Sequence, residues 1–231
     1  MESESSTLAL EQQIKELIEE NLKLQKRVTD LEAIVNGILD PNYNINRLKT
    51  HKSAIMHENE FNLIGLNIKS RCNKTVKHLK KIYQASIDGD NVIAFHSKCD
   101  NIPNTLVLVK TAGNRRFGGF TTSCWASPDK GEWNVDPNAF VFSLDKQKIY
   151  TLEPNKGAVY NKKDSGPWFG MNGFFLFPKS KGEKNLFTFE SNTNPEHHTF
   201  NYNGDKNALS EDGKNQGVFA IEYEVFEVIY E

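Results

Sequence analysis

The residues best placed to do chemistry surround one cysteine. Cys99 lies one residue after Lys98 and three after His96. A nearby cation lowers the pKa of a thiol, and the thiolate is the nucleophilic and oxidisable form. Cys99 is therefore the candidate for redox chemistry. On the extended strand that we expect here, however, residues 98 and 99 point to opposite faces, so a buried structural cysteine is the alternative.

Two pairs of residues resemble fragments of a metal site. His96 and Cys99 form an H-x-x-C pair, and His197 and His198 are adjacent. A structural zinc site needs four ligands in a tetrahedral arrangement. The H-x-x-C pair has no matching second pair, and adjacent histidines do not easily close such a site alone. We therefore predict no metal site and no cofactor.

The carboxylates and glycines do not form a catalytic motif either. Glu222 and Glu224 share one face of the last predicted strand, and Glu227 has the opposite parity. General acid–base catalysis would need a pocket that raises one carboxyl pKa, and the sequence indicates none. No phosphate-binding G-x-x-x-x-G-K-[ST] loop and no G-x-S-x-G motif is present. In the segment 115–119 (RRFGG), glycines between strands favour close packing over phosphate binding. We expect no enzyme, with thiol chemistry at Cys99 as the exception.

Charge is distributed unevenly along the chain, although the net charge is only −2. Residues 1–40 contain four Lys/Arg and nine Asp/Glu, so this segment is acidic. Residues 47–81 contain nine Lys/Arg and two Glu, whereas residues 219–231 contain four Glu and no Lys/Arg. Such blocks are usually solvated surface, but they can also steer a protein partner. The near-neutral total argues against a nucleic-acid binder. The candidates for a docking surface are Lys69, Arg71, Lys74, Lys77, Lys80 and Lys81, the Arg115-Arg116 turn, and Glu222, Glu224, Glu227 and Glu231.

The first forty residues contain a heptad pattern, with apolar residues alternating in steps of four and three. This repeat is typical of a left-handed coiled coil, and β-branched residues at a with leucine at d favour two parallel strands. Asn21 at an a position fits a dimer because its amide can pair with the same residue of the other helix. The predicted seam consists of Ile14, Asn21, Val28 and Val35 at a, and Leu10, Leu17, Leu24, Leu31 and Ile38 at d.

The alternative is an amphipathic helix that packs against its own domain. The apolar stripe is narrow, which favours the coiled coil, although Ile18 and Ile34 widen it. The partner helix could belong to a second copy or to a different chain. The sequence thus predicts three parts: a coiled coil over 8–39, a polar linker over 40–52 and one domain over 53–231.

The large domain shows mainly strand-like patterns. Val76, Leu79, Ile82 and Tyr83 recur at helical spacing, which predicts a short helix over 74–84. The later runs are short, apolar and separated by turn residues, which predicts an all-β sandwich with accessory helices. The apolar parity of the last strand changes near residues 225–226, which indicates a β-bulge or burial on both faces. The predicted strands are 92–96, 105–111, 117–122, 139–144, 148–151, 173–178, 186–190 and 218–229.

Several ordered blocks of this domain strongly resemble the TLDc domain family. The resemblance covers roughly residues 53–230. It rests on IYQASIDGD (82–90), FHSKCDNIPNTLVLVKTAG (95–113), RRFGGFT (115–121), CW (124–125), AFVFSL (139–144), TFN (199–201) and IEYEVFEV (221–228).

The resemblance implies a sandwich of two antiparallel sheets with flanking helices. It also implies a protein-binding role linked to resistance against oxidative damage and, in several members, to the vacuolar proton-pumping ATPase. No agreed catalytic mechanism comes with the family. A short coiled coil joined to one TLDc domain resembles protein sets of ciliated protists. A structural scaffold of a cilium, axoneme or cytoskeleton is therefore the alternative.

Three features predict an intracellular protein. No stretch approaches 18 uncharged apolar residues, so we expect no membrane insertion. The first ten residues are acidic and lack the basic region of a secretory signal. Three scattered cysteines do not make a disulfide framework. We expect a cytoplasmic location, which includes a cilium and the cytoplasmic face of an organelle as options.

Overall fold

A computed structural model divides the chain into two compact units, residues 1–44 and residues 45–231. In the first unit, helix α1 covers residues 12–29. None of the helices described is long and apolar enough to cross a membrane. The structure describes residues 12–29, 52–171, 173–178, 187–191, 199–205, 207–209 and 218–231.

The second unit is rich in β-structure. A 3₁₀ turn at Glu58–Glu60 leads into helix α2 at Phe61–Cys72; helices α3 at Ala85–Asp88 and α4 at Val92–Cys99 follow the first strand. The strands are β1 (Val76–Gln84), β2 (Thr105–Thr111), β3 (Arg116–Thr121), β4 (Glu132–Val135), β5 (Phe140–Ser143), β6 (Lys148–Thr151), β7 (Gly157–Asn161), β8 (Trp168–Phe169), β9 (Phe174–Pro178), β10 (Phe187–Ser191) and β11 (Val218–Tyr230).

The strands form two antiparallel sheets that share one strand. The first sheet has the order β1-β11-β2-β3-β5-β6, and the second has the order β4-β7-β8-β9-β10. The beginning of β11 pairs with β10, so this long strand joins the two sheets. The predicted fold, mainly β with two antiparallel sheets and accessory helices, is confirmed.

The first sheet is buried on both faces. Val107 and Val109 of β2 belong to a core shared with the second sheet, whereas Leu106 and Leu108 belong to a core on the opposite face. That second core is completed by the 53–60 segment and by α2, through residues such as Ile55, Met56, Phe61, Ile64 and Ile68. The order of layers is therefore helix, sheet, sheet.

The predicted helix over 74–84 is wrong, because this segment is strand β1. Its pairing with β11 is interrupted twice, between Val76 and His78 and between Lys81 and Tyr83. Each interruption inserts one residue, and each inserted residue shifts the side chains that follow to the other face. Buried residues consequently lose the period of two and imitate a helical spacing.

The predicted strand over 92–96 is also wrong, because helix α4 covers Val92–Cys99. The side chain of Asn91 accepts a hydrogen bond from the backbone N–H of Ala94 (2.9 Å), which is an N-cap. Only Phe95 and Cys99 of this helix are buried, one turn apart. The β-branched residues at its start suggest a strand, but the cap and the i, i+4 burial decide the structure.

Most other predicted strands agree with the structure to within a few residues at their ends. The described residues from Tyr223 to Phe226 of β11 are all buried, so the burial on both faces is confirmed. A register interruption also lies opposite Val225 and Phe226, but its extra residue is Ile82 of β1. The sequence does not predict helices α2 and α3 or the short strands β4, β7 and β8.

The glycines between Arg116 and Thr121 serve close packing, as expected. A Cβ atom on Gly119 would lie 2.7 Å from the ring of Phe169 in the second sheet. A Cβ atom on Gly118 would lie 2.1 Å from the carbonyl oxygen of Val107 in the neighbouring strand. Both positions lack room for any larger residue, so the two sheets and their strands approach closely here.

Candidate functional site

Cys99 lies on the inner side of α4 and is fully buried. Burial raises the pKa of its thiol, and the carboxylates of Asp100 and Asp88 raise this pKa further. The Lys98 ammonium lowers it less, and it pairs with Asp88 at 2.9 Å. Lys98 therefore does not bring the pKa of Cys99 below its ordinary value. A buried thiol with a raised pKa has the properties of a structural cysteine.

His96 links α4 to the turn between β7 and β8. Its Nδ1 lies 2.8 Å from Asp100 Oδ1, and its Nε2 lies 3.1 Å and 3.0 Å from the carbonyl oxygens of Lys162 and Ser165. Because a carbonyl oxygen only accepts, Nε2 must carry the proton in these contacts. This nitrogen has no lone pair for a metal. These hydrogen bonds hold α4 against the turn between β7 and β8.

In the described part of the chain, no three His, Cys, Asp or Glu side chains come together in a way that could hold a metal ion. His197 and His198 lie outside the described residues. The prediction of no metal and no cofactor therefore remains a prediction.

Some of the charged residues that we predict for docking form ion pairs with each other within the domain. Lys80 pairs with Glu227 at 3.1 Å across β1 and β11, and Lys81 pairs with Glu224 at 2.5 Å. The two pairs join one basic and one acidic block that lie far apart in sequence. Antiparallel pairing of β1 with β11 places these blocks side by side, with Lys80 directly opposite Glu227.

Glu224 is fully buried, so the expectation of an exposed Glu224 is wrong. Besides Lys81, it accepts hydrogen bonds from the Ser53 hydroxyl (2.5 Å) and the Ala54 backbone N–H (3.0 Å). Lys81 also donates to the carbonyl oxygen of Lys52 (2.8 Å). Two neutral donors and the Lys81 ammonium compensate the burial of this charge, which fastens residues 52–54 to the first sheet.

Arg116 is also an internal residue of the fold. Two of its guanidinium nitrogens donate to the two carboxylate oxygens of Glu60, at 2.9 Å and 2.8 Å. Its Nε donates to Asp145 (3.0 Å). This bidentate geometry is typical of a structural ion pair, and it joins the 3₁₀ turn to β3. Arg116 is therefore removed from the predicted docking surface.

The other docking candidates are distributed over the domain. Lys69, Lys77 and Glu231 are exposed. Glu222 accepts hydrogen bonds from the backbone N–H of Ser86 (3.2 Å) and the side chain of Gln84 (3.1 Å). Of the remaining three, Lys74 lies 5.1 Å from the ring centre of Tyr230, Arg71 lies 5.5 Å from that of Phe140, and Arg115 is half-buried.

The described part of the predicted seam lies on an exposed helix face. Ile14, Leu17, Leu24 and Val28 are between 49 % and 64 % exposed, and Ile18 beside them is exposed as well. Asn21 lies among them in the same helix. The other seam residues, Leu10, Leu31, Val35 and Ile38, lie outside the described residues.

Three isoleucines are exposed in the structure, and the sequence analysis does not predict their exposure. Ile87 in α3, Ile93 in α4 and Ile221 in β11 have most of their surface in solvent. Ile93 belongs to an apolar run that resembles a buried strand, and Ile221 belongs to the pattern of the last strand. For Ile87 a signal exists, since it lies between polar residues just before the turn Asp88-Gly89.

The second unit is thus an antiparallel two-sheet sandwich whose first sheet carries a helical layer. The family model of the TLDc domain matches residues 49–229, most of the chain. The chain belongs to the TLDc domain family. No curated protein sequence matches it.

Thiol alkylation tests the assignment of Cys99 as a structural residue. In the native chain, we expect iodoacetamide to modify Cys124, which is exposed, and to leave Cys99 unmodified. Cys99 should react only in denaturant, because burial blocks access and its raised pKa keeps the thiolate scarce at neutral pH. Peptide mass spectrometry measures both sites in one sample. Equal native reaction rates at Cys99 and Cys124 would restore the redox interpretation.

Two neighbouring glutamates of β11 should differ strongly in their contribution to stability. We expect Glu224→Ala to lower the free energy of unfolding by about 3–5 kcal/mol, because it removes the buried carboxylate that pairs with Lys81 and accepts from the Ser53 hydroxyl and the Ala54 N–H. Glu227→Ala removes an exposed pair and should cost no more than about 1 kcal/mol. Urea unfolding of the full chain measures both. Similar costs for the two variants would contradict the clamp at Glu224.

Proposed function

We propose that this protein is a non-catalytic protein-binding module, in which a coiled-coil dimer presents two TLDc domains to a larger assembly. The exposed apolar face of α1 is the observation that carries this proposal. A lone helix with such a face is unfavourable in water, because each buried side chain of this size is worth roughly 1.5–3 kcal/mol. Pairing of two helices removes the whole face from water at once.

A second copy of the chain in parallel orientation is the best partner for this helix. In a parallel pair Asn21 meets Asn21 of the second copy, and the two amides satisfy each other. In an antiparallel pair a positions face d positions, so the amide would meet a leucine. An unsatisfied buried amide costs about 1–3 kcal/mol, which favours the parallel arrangement. Arg27 at g and Glu32 at the next e position of the second copy add a complementary charge pair.

The assembly that receives the domains is proposed from the family. TLDc proteins suggest a role in the oxidative-stress response, and several members point to subunits of the vacuolar proton-pumping ATPase. We propose a cytoplasmic protein that docks on such an assembly. The alternative is a scaffold protein of a cilium, an axoneme or the cytoskeleton, where a repetitive lattice would suit a dimer. A redox role of Cys99 is the weaker alternative, since the thiol is buried and its pKa is raised.

Light scattering tests the dimer. The full chain should have twice the mass of the 26.3 kDa chain at micromolar concentration. Leu17→Lys combined with Leu24→Lys places four ammonium groups in the dimer seam and should give a monomer. Lys26→Glu, on the outer face of the same helix, is the matched control and should remain a dimer. A monomeric full chain would contradict the homodimer, and a monomeric control would contradict the assigned register.

Binding to purified assemblies tests the docking. We expect the immobilised full chain to retain either subunits of the vacuolar proton-pumping ATPase or tubulin and axonemal proteins. The monomeric Leu17→Lys, Leu24→Lys variant should retain at least about tenfold less of the same target, because two linked contacts raise the effective concentration of the second. Retention of pump subunits would support the docking role proposed from the family, and retention of tubulin would support the role as a ciliary or cytoskeletal scaffold. Retention of neither, or equal retention by the monomeric variant, would contradict the proposed function.

A further inference from the structure

Both ring nitrogens of His96 face hydrogen-bond acceptors. The Nδ1 atom lies 2.8 Å from Asp100 Oδ1, and the Nε2 atom lies 3.1 Å and 3.0 Å from the carbonyl oxygens of Lys162 and Ser165. The side chain of His96 is only 11 % exposed and that of Asp100 17 %, so the contact is largely shielded from water. The protonation state of the ring therefore decides whether these contacts attract or repel.

A neutral imidazole does not match this environment. It carries one N–H donor and one nitrogen lone pair, whereas an imidazolium carries two N–H donors. With the proton on Nε2, the lone pair of Nδ1 points at the Asp100 carboxylate, which only accepts when it is ionised. With the proton on Nδ1, the lone pair of Nε2 points at two carbonyl oxygens. Only the imidazolium form of His96 donates in all three contacts.

The electrostatic surroundings of His96 also favour a positive charge. His96 lies in the last turn of α4, where the aligned peptide dipoles favour a cation. The lysines of the segments that meet here pair with other carboxylates: Lys98 with Asp88 at 2.9 Å, Lys162 with Asp164 at 3.0 Å and Lys163 with Asp129 at 2.6 Å. The imidazolium of His96 is therefore the cation that the Asp100 carboxylate meets.

The contacts of His96 join two parts of the domain. Helix α4 carries Phe95 and Cys99, whose side chains are buried in the core shared with the second sheet. Lys162 and Ser165 belong to the turn between β7 and β8 of that sheet. His96 thus fastens the end of α4 to the second sheet, and loosening of this helix end opens the part of the core that holds the Cys99 thiol.

We propose that His96 is a pH-dependent latch, which holds α4 to the turn between β7 and β8 when the ring is protonated and releases the helix end when the ring loses a proton. Histidine is the side chain whose charge ordinarily changes between about pH 5 and 8. The folded chain supplies acceptors for both ring protons, so the latch stabilises the domain in mildly acidic solution. This stabilisation is lost as the pH rises and the imidazolium deprotonates.

Nitrogen-15 NMR of the full chain with labelled histidine tests the protonation state directly. The ring nitrogens of an imidazolium and of a neutral imidazole have different chemical shifts, and the signals missing from the His96→Gln variant identify His96. We expect two protonated nitrogens at about pH 5.5 and a proton on Nε2 alone at about pH 8.5. A neutral ring at the lower pH, or an imidazolium at both, would overturn the latch.

Thermal unfolding of the full chain at the same two pH values measures the stabilisation. A glutamine at position 96 has an amide that can donate to the carbonyl oxygens, but it does not titrate. We expect the Tm advantage of wild type over His96→Gln to fall by at least about 3 °C from the lower to the higher pH, because a charge-assisted hydrogen bond is lost. Other titrating groups cancel in this difference.

Asp100→Asn is the matched control for the partner of the latch. Its amide can accept from a protonated Nδ1 or donate to a neutral one, so this variant should lose most of the pH-dependent Tm advantage over the His96→Gln, Asp100→Asn double variant. A Tm advantage of wild type that does not change with pH, or one that changes equally in the Asp100→Asn background, would contradict the latch.

Hydrogen exchange locates the segment that the latch holds. Comparison of wild type with His96→Gln at one pH cancels the intrinsic pH dependence of exchange. At about pH 5.5 the amides of α4 should exchange at least about fivefold more slowly in wild type, and at about pH 8.5 the two chains should exchange at similar rates. Equal exchange of α4 at the lower pH, or a slowing spread evenly over the domain, would overturn the assignment to α4.

Discussion

Burial of the first sheet on both faces is the constraint on which the domain depends. The strand β11 lies in the middle of this sheet and is buried without interruption from Tyr223 to Phe226. Tyr223 and Val225 contribute to the core shared with the second sheet, and Phe226 contributes to the core under α2. A charged side chain within this stretch has no access to water. Glu224 is therefore tolerated only because Lys81, Ser53 and Ala54 meet it there.

The pairing of strands and turns in the domain also explains why part of the charge blocks in the sequence is neutralised within the fold. The basic end of β1 and the acidic end of β11 belong to neighbouring antiparallel strands, so they neutralise each other. Arg116 is similarly neutralised by Glu60 and Asp145, which come from different parts of the chain. A sequence read in one dimension contains the charges but not their pairing. Ser86 and Glu222 are likewise distant in sequence and meet only in the fold.

The parts of the fold that could be predicted are those with a regular pattern. The run 105–111 is apolar and β-branched throughout and forms β2 over the same residues. The segment 74–84 could not be read in this way, since two inserted residues in β1 destroy the alternation on which strand prediction depends. In the segment 92–96, the β-branched residues favour a strand. The N-cap at Asn91 favours a helix, and the helix is what forms. Strand β4 is short and mostly exposed, so it carries no apolar alternation. Among the site residues, the burial of Glu224 depends on tertiary packing, which no local pattern encodes.

The internal pairing of charges also limits how strongly the surface of one domain can attract a partner. Lys69 and Lys77 remain exposed, and exposed charges set the rate and specificity of association more than its affinity. In the proposed coiled-coil dimer, the second domain would bind as an intramolecular event at an effective concentration of order millimolar, which raises the avidity about 10²–10⁴-fold without any new contact. A weak individual contact would then favour a target that repeats its binding site, because a target that presents the site once gains nothing from the second domain.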